Sequence, residues 1–211
     1  MGLLDKFKIN QRKEDSPPES ATIHNNSAED HYQNGLELTR RGLYVEAAEE
    51  FKRAIRKDSS YADAHYEMGV TYDALGRFAE AIKAYRQVIS IDPEDLDAYN
   101  NLGVAYSNSG QNPDAIKTFV QALRIKSDNV EIRTNLGLAY FNMGSYTEAL
   151  KACQQALQIE PDYASAHYTL GLIYIDLADK ETALQAHDAL KSIDPNMAHD
   201  LLNQIHRRFL R

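Results

Sequence analysis

The sequence predicts an all-α solenoid of stacked helix pairs, and three observations predict it. Nine of the ten glycines fall on two ladders, Gly35, Gly69, Gly103, Gly137, Gly171 and Gly42, Gly76, Gly110, Gly144, each stepping by 34 residues. Tyr72, Tyr106, Tyr140 and Tyr174 keep the same step, as do Ala47, Ala81, Ala115, Ala149 and Ala183, while Pro93, Pro161 and Pro195 share a further ladder with Ser59 and Ser127. Between these markers the apolar residues recur with a helical period, and glycine and proline divide each unit into two helices of about a dozen residues. A fixed period of this length marks stacked units that bury their apolar faces only against their neighbours.

Residues 1–27 precede the first unit. Leu3, Leu4, Phe7 and Ile9 lie near one helical face beside Lys6 and Lys8. They form either a short docking helix for a membrane surface or partner, or a leader without a task, since helices this short are marginal alone. Residues 10–27, NQRKEDSPPESATIHNNS, are polar and proline-bearing and read as a flexible tether. The first unit, 28–61, has Asn34 at a usually apolar place and Leu38 instead of the ladder tyrosine, as suits an end unit packed on one side. In the second, 62–95, Gly76 of DALGRF stands where a left-handed residue ends a helix, and Pro93 of SIDPED closes the next helix. In the third, 96–129, Pro113 of QNPDAI falls in a first helical turn, where no needed donor is lost. The fourth, 130–163, puts Cys153 at the large apolar place of its second helix. The fifth, 164–197, departs most, with Ala178 for the turn glycine and His187 at the large-residue place, so its turn is the least determined. Residues 198–211 follow as a capping helix, with Leu201, Leu202, Ile205 and Phe209 extending a stripe from Met197.

These units resemble the tetratricopeptide repeat. In 96–129 the matching residues are Tyr99, Leu102, Gly103, Tyr106, Ala115 and Phe119; in 62–95 they are His65, Met68, Gly69, Tyr72, Ala81, Tyr85 and Pro93. The resemblance covers roughly four fifths of the chain. It implies a right-handed α-α superhelix whose first helices line a concave surface. It also implies that Gly103, inside a helix at a cost of about 1 kcal/mol against alanine, lets the second helix approach near Ala115. A phosphate loop would need a strand-to-helix turn followed by lysine, and neither is present.

On the first helix of the third unit, Tyr99, Leu102, Gly103 and Tyr106 point towards the second helix, while Asp97, Asn100, Val104, Ser107 and Asn108 point away. Carried to each unit, the resemblance implies a groove lined by Tyr32 and Leu36 in the first, then Tyr66, Val70 and Asp73 in the second. Asn100, Val104 and Asn108 continue it, followed by Thr134, Leu138, Phe141 and Asn142, and by Tyr168, Leu172 and Ile175. Asn101 and Asn135 stand at its edge, similar to the asparagines with which the repeats of O-linked N-acetylglucosamine transferases hold a peptide backbone. An amide both donates and accepts, so such a row reads backbone and not sequence. Gln33, Glu67 and Thr169 interrupt it. Glu29, Asp63, Asp97 and Glu131 form an acidic row that either attracts a basic ligand or answers the helix dipole.

The formal charge of −8 is uneven: 1–27 balances four basic against four acidic residues and 196–211 holds three against one, leaving 16 against 26, or −10, between them. An acidic body argues against nucleic acid, whose binding needs cations to displace counterions, and favours a neutral to basic partner. Only Arg40 is placed to serve a carboxylate clamp, which argues against an acidic tail as ligand. The seven histidines show no metal-binding spacing, His65 and His167 fall at the tryptophan place, and Cys153 lacks a neighbouring base. A single cysteine and no secretory or membrane-spanning run point to the cytoplasm. The expectation is a non-enzymatic scaffold or adaptor without cofactor or metal, binding an extended peptide or partner protein. The alternative is a self-assembling or peripheral membrane-associated structural protein that uses the apolar leader.

Overall fold

The computed structural model describes residues 26–209; the expected docking segment 1–9 and nearly all of the tether lie outside them. The chain divides between Gln111 and Asn112 into two compact units. The first holds α1 (Ala28–Arg40), α2 (Tyr44–Lys57), α3 (Ala62–Ala74), α4 (Phe78–Ile91) and α5 (Leu96–Asn108). The second holds α6 (Asn112–Ile125), α7 (Val130–Asn142), α8 (Tyr146–Ile159), α9 (Ala164–Asp176), α10 (Lys180–Ile193) and α11 (Pro195–Phe209). Within each unit successive helices pack on one another, and first helices also touch: α1 meets α3, α3 meets α5, and α7 meets α9.

Local chemistry sets the ends. Ser27 and Asp30 form a capping box at α1. Asp95, Asn129 and Asp179 each accept from the backbone N–H three residues on, worth about 1 kcal/mol apiece. Gly42, Gly76, Gly110 and Gly144 follow the first helices with φ between 70° and 79°. Behind each, the next N–H reaches back five residues, as in Arg77 N to Tyr72 O at 2.8 Å. Ala178 makes the same turn at φ 59°, with Asp179 N donating to Tyr174 O at 2.9 Å, so the fifth turn survives without glycine. The last helix starts at Pro195, three residues earlier than the sequence suggests. Asp194 ends α10 and its Oδ1 accepts from Asn196 and Met197 N–H at 2.9 and 3.0 Å, while Pro195 takes a position that needs no donor.

The helical glycines mark close approaches. A Cβ on Gly69 would lie 2.6 Å from Tyr85 Cε1, one on Gly35 2.5 Å from Phe51 Cε1, and one on Gly137 2.6 Å from Cys153 Sγ. The residue sixteen places on therefore sits over the glycine, with the ladder alanine behind it, as Ala149 O shows at Gly137. In the fifth unit that place is His187, and Leu201 of α11 covers Gly171 instead. Tyr66, Tyr72, Ile82, Tyr85, Val88 and Leu102 build the core of the first unit. Leu172, Ile175, Leu190, Leu201 and Ile205 build that of the second, each large side chain contributing about 1.5–3 kcal/mol by burial.

Candidate functional site

On α3, Tyr66, Val70 and Asp73 follow one another at helical spacing and all are buried. Tyr85 from α4 lies edge-on to Tyr66, ring centroids 5.9 Å apart, and donates its hydroxyl to Asp73 Oδ2 at 2.8 Å. The other oxygen, Asp73 Oδ1, is buried and has no donor among the described residues. Burial pushes this carboxyl up to about 7, against the lowering pull of the Tyr85 hydroxyl. From α5, Asn101 donates Nδ2 to Tyr66 Oη at 2.9 Å, leaving its own Oδ1 buried and without a donor. Two hydrogen-bonded pairs, Tyr85 with Asp73 and Asn101 with Tyr66, thus meet through the ring contact of Tyr66 with Tyr85.

The remaining groove residues divide by exposure. Tyr32 of α1 is half-buried, its ring 6.0 Å from Phe51 and 5.0 Å from Tyr61. Asn100 and Val104 are buried and Asn108 is half-buried. In the second unit, Thr134 spends its hydroxyl on Val130 O at 2.9 Å, Asn135 is 3 % exposed, Leu172 is buried and Asn142 is open. Tyr66, Leu138 and Tyr168 have no open surface. Tyr168 is claimed by α11: its hydroxyl donates to Asp200 and accepts from Gln204 Nε2 at 2.7 Å.

The acidic row falls in the first turns of α1, α3, α5 and α7, and Glu29 accepts from Tyr61 Oη at 2.5 Å and Gln33 Nε2 at 2.8 Å. The tryptophan place has its own pattern. His65 Nε2 donates to Ser59 O at 3.0 Å and His167 Nε2 to Pro161 O at 2.8 Å; Arg133, at the same place, donates to Ser127 O. Three of these side chains thus pin the carbonyl six residues upstream, which accounts for the histidines as donors to the preceding loop. Cys153 is enclosed, and burial lifts its thiol to about 12, far from a nucleophile. Among the described residues no group of His, Cys, Asp and Glu could hold a metal ion, and no helix is long and apolar enough to cross a membrane.

The sequence reading missed Tyr85, Asp200 and Gln204 as partners of the groove residues. For Tyr85 a signal existed: it lies twelve residues after Asp73, from a place that must cover Gly69.

Comparison with known proteins places the pattern. TPR repeat models match residues 35–76, 74–110 and 107–144, and tetratricopeptide repeat models match 130–163 and 152–185. No curated protein matches the chain. Among solved structures, MamA residues 41 to the end from Desulfovibrio magneticus RS-1 is similar at TM-score 0.72 and 20 % identity, over 83 % of this chain and 98 % of that one. A thermophilic TPR protein of Thermus thermophilus is similar at 0.66 and 21 %, over 84 % and 98 %. YrrB, a TPR protein with an unusual peptide-binding site, is similar at 0.65 and 23 %, over 85 % and 94 %. At these identities the likeness shows the fold, an all-α TPR solenoid, and with the matched repeats it establishes that this chain belongs to the tetratricopeptide repeat family.

Proposed function

We propose that this chain is a non-enzymatic scaffold that holds an extended, neutral to basic segment of a partner protein against its first helices. One observation carries the proposal: Asp73 and Asn101, on neighbouring first helices, each keep a buried acceptor oxygen to which no described group donates. Buried acceptors are ordinarily matched, and a bound segment brings the donors, backbone N–H groups and cationic side chains. On this reading Tyr32 and Asn108 meet a segment at the surface of the first unit, with Tyr66 and Val70 packed beneath; in the second unit Asn142 is the open residue, over the buried Leu138, Tyr168 and Leu172. The peptide-binding site ascribed to YrrB supports the same use of this fold.

The test pans a phage library of random dodecapeptides on the full chain, then titrates the leading peptide, fluorescein-labelled, against wild type and Asn101→Ala/Asn135→Ala. The double variant should bind about tenfold more weakly with unchanged helicity. Undiminished binding would remove the asparagines from the site, and failure of any peptide to enrich would remove the function.

A further inference from the structure

Charge is segregated between the two helix layers of the first unit. Its first helices carry Glu29, Asp30 and Glu37 on α1, Asp63, Glu67 and Asp73 on α3, and Asp97 on α5, against Arg40 alone: a net −6. Its second helices, α2 and α4, carry four carboxylates against six lysines and arginines: a net +2. The second unit shows no such contrast, since α7 balances Glu131 with Arg133 and α9 holds only Asp176.

Helix dipoles explain part of this. Glu29, Asp30, Asp63 and Asp97 stand in first turns, where a carboxylate is favoured. Asp73 stands in the last turn of α3, where the helix carbonyls disfavour it. It is only 8 % exposed, on one face with Tyr66 and Val70, and a single hydroxyl answers one of its two oxygens. As an acceptor for Tyr85 an asparagine would do equally well without the cost of a buried charge. Among the described residues only the Tyr85 hydroxyl answers this carboxyl, and a hydroxyl does not need a charged acceptor.

We infer that Asp73 is the specificity-determining residue of the first unit, reading a lysine or arginine side chain of the bound segment, with the acidic layer of α1, α3 and α5 drawing that segment in. The inference rests on the peptide-binding reading above. Oδ1 has no open surface in the unbound chain, so the arriving cation displaces what covers it to supply the donor it lacks, in a charge-assisted bond, while Tyr85 holds the other oxygen in place.

The experiment pans the same dodecapeptide library on full-length wild type, Asp73→Asn and Tyr85→Phe, each confirmed as folded by its thermal unfolding. The wild-type pool should be enriched in lysine or arginine at one fixed place. Replacing that residue by glutamine in the leading synthetic peptide should weaken binding about tenfold or more by fluorescence polarisation. Asp73→Asn should bind both peptides alike, and Tyr85→Phe, which keeps the carboxylate but no longer holds its Oδ2, should weaken the preference without abolishing it. Peptides that enrich without a basic residue, or a preference that persists in Asp73→Asn, overturn the role of Asp73 and leave the scaffold reading standing. Enrichment of no peptide by wild type overturns both.

Discussion

Ala178 offers a stability test whose sign follows from the backbone alone. It occupies the left-handed turn position at φ 59° that Gly144 fills one unit earlier at φ 72°. A Cβ added at Gly144 would meet nothing within 4 Å and Ala178 is exposed, so exchanging the two residue types changes chiefly backbone energetics. Holding a residue with a Cβ in this region costs about 1–2 kcal/mol, and the extra freedom of glycine in the unfolded chain returns about 0.4–1 kcal/mol of that. Ala178→Gly should therefore stabilise by about 0.5–1 kcal/mol, and Gly144→Ala should destabilise by a similar amount. For a chain of this size that is a rise of about 1–4 °C in Tm for the first and a comparable fall for the second. Urea unfolding followed by circular dichroism measures both, and the midpoints should move in opposite directions at constant m. A stability loss in Ala178→Gly, or no loss in Gly144→Ala, would refute the assignment of these turns.

Gly69→Ala tests the close approach: the new methyl would lie 2.6 Å from Tyr85 Cε1, and the ring cannot retreat without loosening its bond to Asp73. Overpacking costs about 1–3 kcal/mol and improved helix propensity returns about 1, so a net loss of up to about 2 kcal/mol should appear in the same urea assay; a gain would contradict the contact. Asp73 also predicts a pH dependence. Burial holds its carboxyl at about 7 in the folded chain, against roughly 3.9 when unfolded. From about pH 4 to 7 the folded chain keeps a proton that the unfolded chain has lost, so this group's contribution to stability falls as pH rises through that window and is level above it. Asp73→Asn removes that slope: the loss in stability from pH 5 to pH 8 should be smaller than in wild type by on the order of 3 kcal/mol. Equal losses would show that the carboxyl titrates as an exposed one.

The helix pairs were legible in the sequence because a repeat states each packing rule several times. One turn glycine is ambiguous, but Gly42, Gly76, Gly110 and Gly144 at one step, each after an apolar run, are not. The details that escaped are those in which a side chain chooses among partners beyond its own helix. Periodicity assigned Tyr66 and Tyr168 to the groove face, yet it holds no information on depth, and both have no open surface. Asn101 was expected at an edge, and its amide is instead 1 % exposed and turned onto Tyr66. The histidines at the tryptophan place were assigned to packing, and their bonds to Ser59 and Pro161 carbonyls add a polar role that apolar patterning cannot express.

The fifth unit shows why its departures from the repeat belong together. Elsewhere, at Gly35, Gly69 and Gly137, the covering residue comes from the second helix of the same unit. In the fifth unit α11 packs on both α9 and α10. Leu201 then covers Gly171, and Asp200 and Gln204 take the Tyr168 hydroxyl much as Asn101 takes that of Tyr66. His187 is still a large, mostly buried side chain, but its Nδ1 lies 3.3 Å from Asp188 Oδ1 on its own helix, and Leu201 holds the place over Gly171 that the residue sixteen places on fills at Gly35, Gly69 and Gly137. Judged against the repeat alone His187 looks like decay; judged against α11 it stands at a place whose covering task Leu201 has already taken.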